Sequence, residues 1–178
     1  MKYEFIHHRI DDWNFEEKAL INQTIHLALQ VKPANTLEVL AKHIYDITQV
    51  KYILISKAHT EDLSELSSLL FMANGTVLDN AVYSTIGAPC QNALSHSICY
   101  YPLGIQQEFP EALILQHLGV HSYMGMALKD LNQKNIGIIT LLDEKPIKNP
   151  GLVEHLLTIV SPLLEEKIMR LNGNKDLL

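Results

Sequence analysis

Cys90 has the setting in this chain that most invites chemistry. It follows Pro89 in the run Gly87-Ala88-Pro89-Cys90, a pattern that starts helices because proline has no N–H to lose at the first helical position. Unpaired amides and the positive helix end would stabilise a thiolate, or an anionic ligand group, at that place. The position equally suits a small side chain that only packs, as free cysteines commonly do. Cys90 and Cys99 could also act as attacking and resolving sulfurs, provided the fold brings them within reach. Cys90, His96, Cys99, His117 and His121 include a His-x-x-Cys and a His-x-x-x-His spacing. Zinc accepts four such ligands when they converge. These spread across positions 90 to 121 without a Cys-x-x-Cys pair, and Gly119 should break a helix joining the two histidines, so no metal is expected. Gly-x-Ser-x-Gly, phosphate-loop and His-Glu-x-x-His motifs are absent. Nothing nominates a nucleophile with its base, and the chain reads as non-catalytic in itself.

The elements that must position these residues are legible from periodicity. Residues 14 to 31 predict a helix, with Asn14 and Glu17 as a reciprocal cap and Leu20, Thr24, Leu27 and Val31 along one face. Pro33 stops it, and Asn35 with Glu38 repeats the capping pattern for a second helix through Ile47. Lys51 to Ser56 and Leu66 to Ala73 predict strands, the second closed by Asn74-Gly75. Residues 76 to 121 read as irregular, with helix starts at Pro89 and at Phe109-Pro110-Glu111. Tyr123 to Leu128 and Ile136 to Leu142 predict two further strands. The latter is apolar on both faces, with Ile136, Ile138 and Leu142 on one and Ile139 and Leu141 on the other, which calls for a sheet covered on both sides. Gly125 and Gly137 inside these strands mark a bulge or a close approach, at a cavity floor or a tight helix contact. Residues 151 to 171 predict a helix that Pro162 should kink or split after Ser161. Val153, Leu157, Val160, Leu164, Ile168 and Leu171 form one apolar stripe and Leu152, Leu156, Ile159 and Leu163 a second beside it, so that one can face the sheet and the other is free to meet a partner.

Bulk properties narrow the function. The chain has 178 residues, 47% of them apolar and 19% charged, with a formal net charge of −6. A chain of this length buries roughly 70% of its unfolded surface and needs no staple. The negative charge and the lack of a basic cluster disfavour nucleic acid and anionic membranes. His7, His8, Arg9, Asp11 and Asp12 break any signal-peptide core, and no apolar run reaches the ~20 residues a spanning helix needs. Two cysteines make no disulfide framework, so a cytoplasmic location is expected.

The runs Tyr83-Ser-Thr-Ile-Gly-Ala-Pro-Cys90, Cys99-Tyr-Tyr-Pro-Leu-Gly-Ile105, Phe109-Pro110, Leu118-Gly119, Ser122-Tyr-Met-Gly-Met-Ala-Leu-Lys-Asp130, Asn135-Ile-Gly-Ile-Ile-Thr-Leu-Leu-Asp143 and Lys145-Pro146 occur in this order. Together they resemble the bacterial GAF domains of sensor kinases and cyclic-di-GMP enzymes, over about residues 34 to 172. The resemblance implies an α/β (α+β) fold: an antiparallel sheet with terminal helices on one face and short helices and loops over a ligand cavity on the other. It divides the chain into an N-terminal segment 1–33 with a dimerisation helix, the domain 34–172 and a tail 173–178.

It further implies a small-molecule ligand bound among Phe71, Tyr83, Cys90, Tyr101, Phe109 and Tyr123, no cofactor, and a homodimer through the terminal helices. Aromatic walls with phenolic hydroxyls suit a small, mostly flat molecule. Methionine-sulfoxide-reducing relatives use three cysteines where this chain has two. Bilin-binding relatives carry a cysteine followed by histidine, whereas Cys90 precedes Gln91 and Cys99 precedes Tyr100. The Asn-Lys-x-Asp signature of cyclic-nucleotide binders is missing. The expected function is therefore ligand sensing, with a dimerisation scaffold or a cysteine-based redox sensor as alternatives.

Overall fold

A computed structural model describes residues 13–173. The charged N-terminal stretch at residues 1–12 and positions 174–178 of the expected tail lie outside the described residues.

Helix α1 (Phe15–Gln30) starts as its sequence dictates: Asn14 Oδ1 accepts from Glu17 N at 2.9 Å and Glu17 Oε2 accepts from Asn14 N at 2.8 Å. Helix α2 (Thr36–Thr48) departs from expectation. Asn35 makes no capping bond, because a 3-10 turn over Pro33–Asn35 holds it at φ −110°, ψ 13° rather than extended. Thr36 Oγ1 instead reaches back to Lys32 O at 3.3 Å. Strands β1 (Tyr52–Ala58) and β2 (Glu65–Ala73) follow, then β3 (Thr76–Leu78) across the Asn74-Gly75 turn and β4 (Val82–Ser84). A side chain at Gly75, with φ +78°, would put its β-carbon 2.6 Å from the Tyr45 ring, so the turn and α2 together demand glycine.

The segment read as irregular is ordered into α3 (Pro89–His96), edge strand β5 (Ile98–Tyr101), α4 (Ile105–Glu108) and α5 (Leu113–His117). Pro89 opens its helix as expected. Phe109 does not: its N–H closes α4 on Ile105 O at 3.0 Å, and α5 starts only at Leu113. Gly119 at φ +66° ends the turn between His117 and His121, as its position suggested.

Strands β6 (Ser122–Lys129) and β7 (Asn135–Asp143) are adjacent in a seven-stranded antiparallel sheet of order β3-β2-β1-β7-β6-β5, with β4 beside β3 on β2. Helices α1, α2 and α6 (Pro150–Gly173) cover one face and build one core with Ile53, Ile55, Met124, Ile139 and Leu141. Helices α3, α4 and α5 cover the other, packing on Leu54, Tyr123, Ile138 and Leu142. This is the expected architecture. Ile136 is the exception to the predicted alternation: Leu128 pairs with Gly137 and Lys129 with Asn135, so Ile136 is a bulged residue and packs with the helical core.

A second bulge, in β2, controls which residues reach which core. Ile55 pairs with Leu70 but Ser56 pairs with Ser68, leaving Leu69 as the extra residue. Leu70 and Met72 therefore point to the helical core while Leu66, of the same numerical parity, points to the opposite one.

Helix α6 runs unbroken through Pro162, so of the expected kink or split the split does not occur. Pro162 lies on the exposed side, and the Thr158 carbonyl that its missing N–H would have served accepts from Ser161 Oγ at 3.2 Å. Nor is the second apolar stripe free. Leu152 and Leu156 are buried, and Ile159 and Leu163 pack against the helical core where α1 and α2 flank α6. Burying seven aliphatic side chains of α6 from Leu152 to Ile168 contributes on the order of 10 kcal/mol, which explains why one proline does not divide the helix.

Candidate functional site

The sheet face beneath α3, α4 and α5 is organised in rows of cross-strand neighbours. One row runs Phe71–Leu54–Thr140–Gly125–Cys99 over β2, β1, β7, β6 and β5. The next runs Tyr52–Leu142–Tyr123–Tyr101. The centre of the first row is thus made of small residues bordered by large ones, which leaves a depression. Helix α3 roofs it with Ala88, Pro89 and Cys90, α5 with Ile114 and Leu115, and Val82 to Ser84 close a side. The result is a cavity of about 280 Å³.

Gly125 fixes the floor. Its missing side chain admits the Tyr123 phenol, whose hydroxyl would lie 2.2 Å from a β-carbon there. The ring consequently lies along the strand, and its Oη donates to Cys90 Sγ at 3.4 Å. Thr140, opposite Gly125 on β7, has its hydroxyl beside this pair, 3% exposed and with no hydrogen bond of full geometry. Tyr83 is tied elsewhere, donating to Ser56 Oγ at 2.7 Å. Gly137 marks a close approach: an added β-carbon would lie 2.2 Å from the Ser56 carbonyl oxygen of β1 and 3.0 Å from Ile168 Cδ1 of α6.

Four of the six residues singled out in the sequence, Phe71, Tyr83, Cys90 and Tyr123, line the cavity. Tyr101 and Phe109 stand behind its wall, their rings edge to face at 5.4 Å, and Tyr101 Oη accepts from Asn92 Nδ2 at 2.6 Å. Tyr101 also buttresses Tyr123 with ring centroids 6.3 Å apart. The sequence reading missed Leu54, Thr140 and Leu142 on the floor and Ile114, Leu115 and Leu118 on the roof. Strand parity would have found the first three; the roof depends on where α5 begins, which Phe109-Pro110 misplaced.

Electrostatically the site is neutral. Burial pushes the Cys90 thiol up, a trend that hydrogen bonding with Tyr123 and Thr140 only opposes. Loss of water outweighs the helix end, and the residue is a packed thiol rather than a thiolate. Cys99 is raised chiefly by burial and then by its neighbour Cys90. Burial likewise raises Tyr123, Tyr83 and Tyr101. Both cysteines are free and buried, a poor setting for attack on an oxidant or disulfide. Among the described residues no three His, Cys, Asp or Glu side chains converge as metal ligands, and no helix is long and apolar enough to cross a membrane. The arrangement can hold a small molecule and offer it the Thr140 hydroxyl, whose contacts with Cys90 and Tyr123 fall short of full hydrogen-bond geometry.

No protein-family profile and no curated protein matches the sequence. Solved structures do match. The chromophore-binding domain of a bacteriophytochrome from R. palustris is similar with a TM-score of 0.67 and 12% identity, over 89% of this chain and 63% of that one. The longer structure of that bacteriophytochrome gives 0.66 and 12%, over 94% and 42%. The chain therefore spans less than two thirds of both. The GAF domain of an Acinetobacter phosphoenolpyruvate-protein phosphotransferase gives 0.63 and 13%, over 92% and 99%. The fold is that of a GAF domain.

Proposed function

We propose that the chain is a sensory module that binds a small molecule in the cavity between the sheet and α3–α5. The pocket over Leu54, Thr140 and Leu142, roofed by Ala88 to Cys90 and by α5, carries this reading. A fully packed core would have filled that space, because interiors tolerate few voids larger than a water molecule. The strands that floor the cavity present their alternate residues, Ile53, Ile55, Ile139 and Leu141, to the helical core. Occupancy can thus bias the packing of α1 and α6 through the sheet.

In this reading residues 34–172 are the sensory domain and 1–33 an extension that pairs with a second copy. Phe15, Ile25 and Leu29 share one exposed side of α1, at 87%, 41% and 79%, and support such a homodimer. Sensing in the cytoplasm, on behalf of a kinase or cyclic-di-GMP enzyme, is the setting that suits it.

A metabolite screen by thermal shift tests the proposal. A true ligand raises the melting temperature progressively with concentration, and Ala88→Leu, which fills the cavity from the start of α3, should remove the effect while the far-UV spectrum is kept. Silence across a broad screen would leave a dimerisation scaffold as the better description.

A further inference from the structure

We infer that the cavity selects an uncharged, largely apolar molecule about the size of one substituted aromatic ring, anchored by a single hydrogen bond to the Thr140 hydroxyl. This rests on the cavity being a ligand site and adds the chemistry of what enters it.

Size comes first. At about 280 Å³ the space lies at the lower edge of the roughly 300–1,000 Å³ typical of ligand sites, too small for a nucleotide. Charge comes second. No Asp, Glu, Lys, Arg or His lines the cavity, and the nearby carboxylate of Glu111 lies against Gly87, where its Oε2 would be 3.3 Å from an added β-carbon. A carboxylate or phosphate entering here would lose its water without gaining a counter-charge. The entrance points the same way, since Val82 and Ile114 line the cavity and remain about half exposed, at 51% and 47%.

The polar inventory then fixes the anchor. Tyr83 donates to Ser56 and Tyr123 donates to Cys90. Ser84 Oγ accepts from Ile86 N at 3.1 Å and donates to Ser64 O at 3.4 Å. Thr140 is the lining hydroxyl left without a well-formed bond. A buried hydroxyl costs free energy until a partner arrives, so a ligand that supplies one is favoured over an isostere that does not.

Two isosteric probes, phenol and toluene, and two anions, benzoate and cyclic GMP, test this by calorimetry and thermal shift on the whole chain. Phenol and toluene should both bind, phenol about tenfold tighter, as one hydrogen bond implies. Benzoate and cyclic GMP should not bind. In Thr140→Val, toluene binding should persist, showing an intact cavity, while the preference for phenol falls to about one. Phenol preference surviving in that variant overturns the anchor. Binding of benzoate or cyclic GMP as tight as phenol overturns the ligand class but leaves the sensory reading standing, as does failure of all four probes when the metabolite screen finds another ligand. Failure of all four together with a silent screen overturns both.

Discussion

Gly125 does its work by having no side chain. Alanine there must displace the Tyr123 phenol, which cannot move far in a buried site, so Gly125→Ala is expected to destabilise by about 1–3 kcal/mol, the usual cost of overpacking. Urea unfolding checks this, and Tyr123→Phe in the same background should recover only part of the loss, because it removes the hydroxyl oxygen at 2.2 Å but leaves the ring carbons at 2.7 and 2.8 Å. Thr140 should behave in the opposite sense. Replacing its buried hydroxyl, whose contacts with Cys90 and Tyr123 fall short of full hydrogen-bond geometry, by the methyl of valine removes a poorly satisfied polar group, so Thr140→Val is expected to stabilise the unliganded protein by at most about 1 kcal/mol. The two residues face each other across β6 and β7. Cys90, the most conspicuous residue in the sequence, turns out to be mainly a wall: its thiol is raised by burial and accepts from Tyr123.

At the scale of elements, the helices show how local defects are absorbed. Pro162 sits on the exposed side of α6 with Thr158 O served by Ser161. Pro162→Ala restores an N–H and helix propensity and should stabilise by about 1–3 kcal/mol in thermal unfolding. Between α1 and α2, Thr24 Oγ1 lies 2.7 Å from His43 Nε2 and donates to Leu20 O at 2.8 Å. Burial holds the His43 imidazole below its usual 6.5, against the pull of Asp46. A depressed histidine binds fewer protons folded than unfolded, so its contribution is fully present above pH 6.5 and is lost as pH falls through that value toward the folded one. His43→Gln should therefore flatten the acid side of the stability profile, measured by urea midpoint against pH. The long elements were readable because their apolar positions repeat: α1, α2, α6, β1, β2, β6 and β7 all stand within a few residues of where periodicity put them. What escaped were short pieces set by tertiary contact. Strand β5 has four residues and follows Ser97 at φ +71°, and α4 and α5 are single turns whose bounds depend on packing. Phe71, Tyr83, Cys90 and Tyr123 were visible as unusual residues in the right segments. Thr140 could have been placed on the cavity face by its parity with Ile138 and Leu142, but nothing singled it out among them until its cross-strand neighbour was known to be a glycine.

For the molecule as a whole, the two cores share one sheet, and the segment from Trp13 through α1 is built into the helical one. Trp13 is buried there and stacks on His155 at 5.5 Å, so Trp13→Ala is expected to cost about 3–5 kcal/mol. Unfolding should remain a single transition if the extension and the domain behave as one cooperative unit. Differential scanning calorimetry decides, with two separated peaks counting against it. The self-association proposed for α1 predicts that Leu29→Glu lowers the apparent mass in sedimentation without changing the melting temperature much, since that side chain is largely exposed.

The extra residue Leu69 has a further consequence for how this chain can vary in length. Because side chains alternate along a strand, adding or removing one residue in β2 acts as a switch of parity. Deleting Leu69 would turn Leu66 toward the terminal helices, or Leu70 and Met72 toward the face covered by α3 to α5, and in either case an apolar set would meet the wrong partners. Deleting two neighbouring residues would restore the alternation. Length variants of this strand should consequently be tolerated in even steps and rejected in odd ones, whatever the identity of the residues involved.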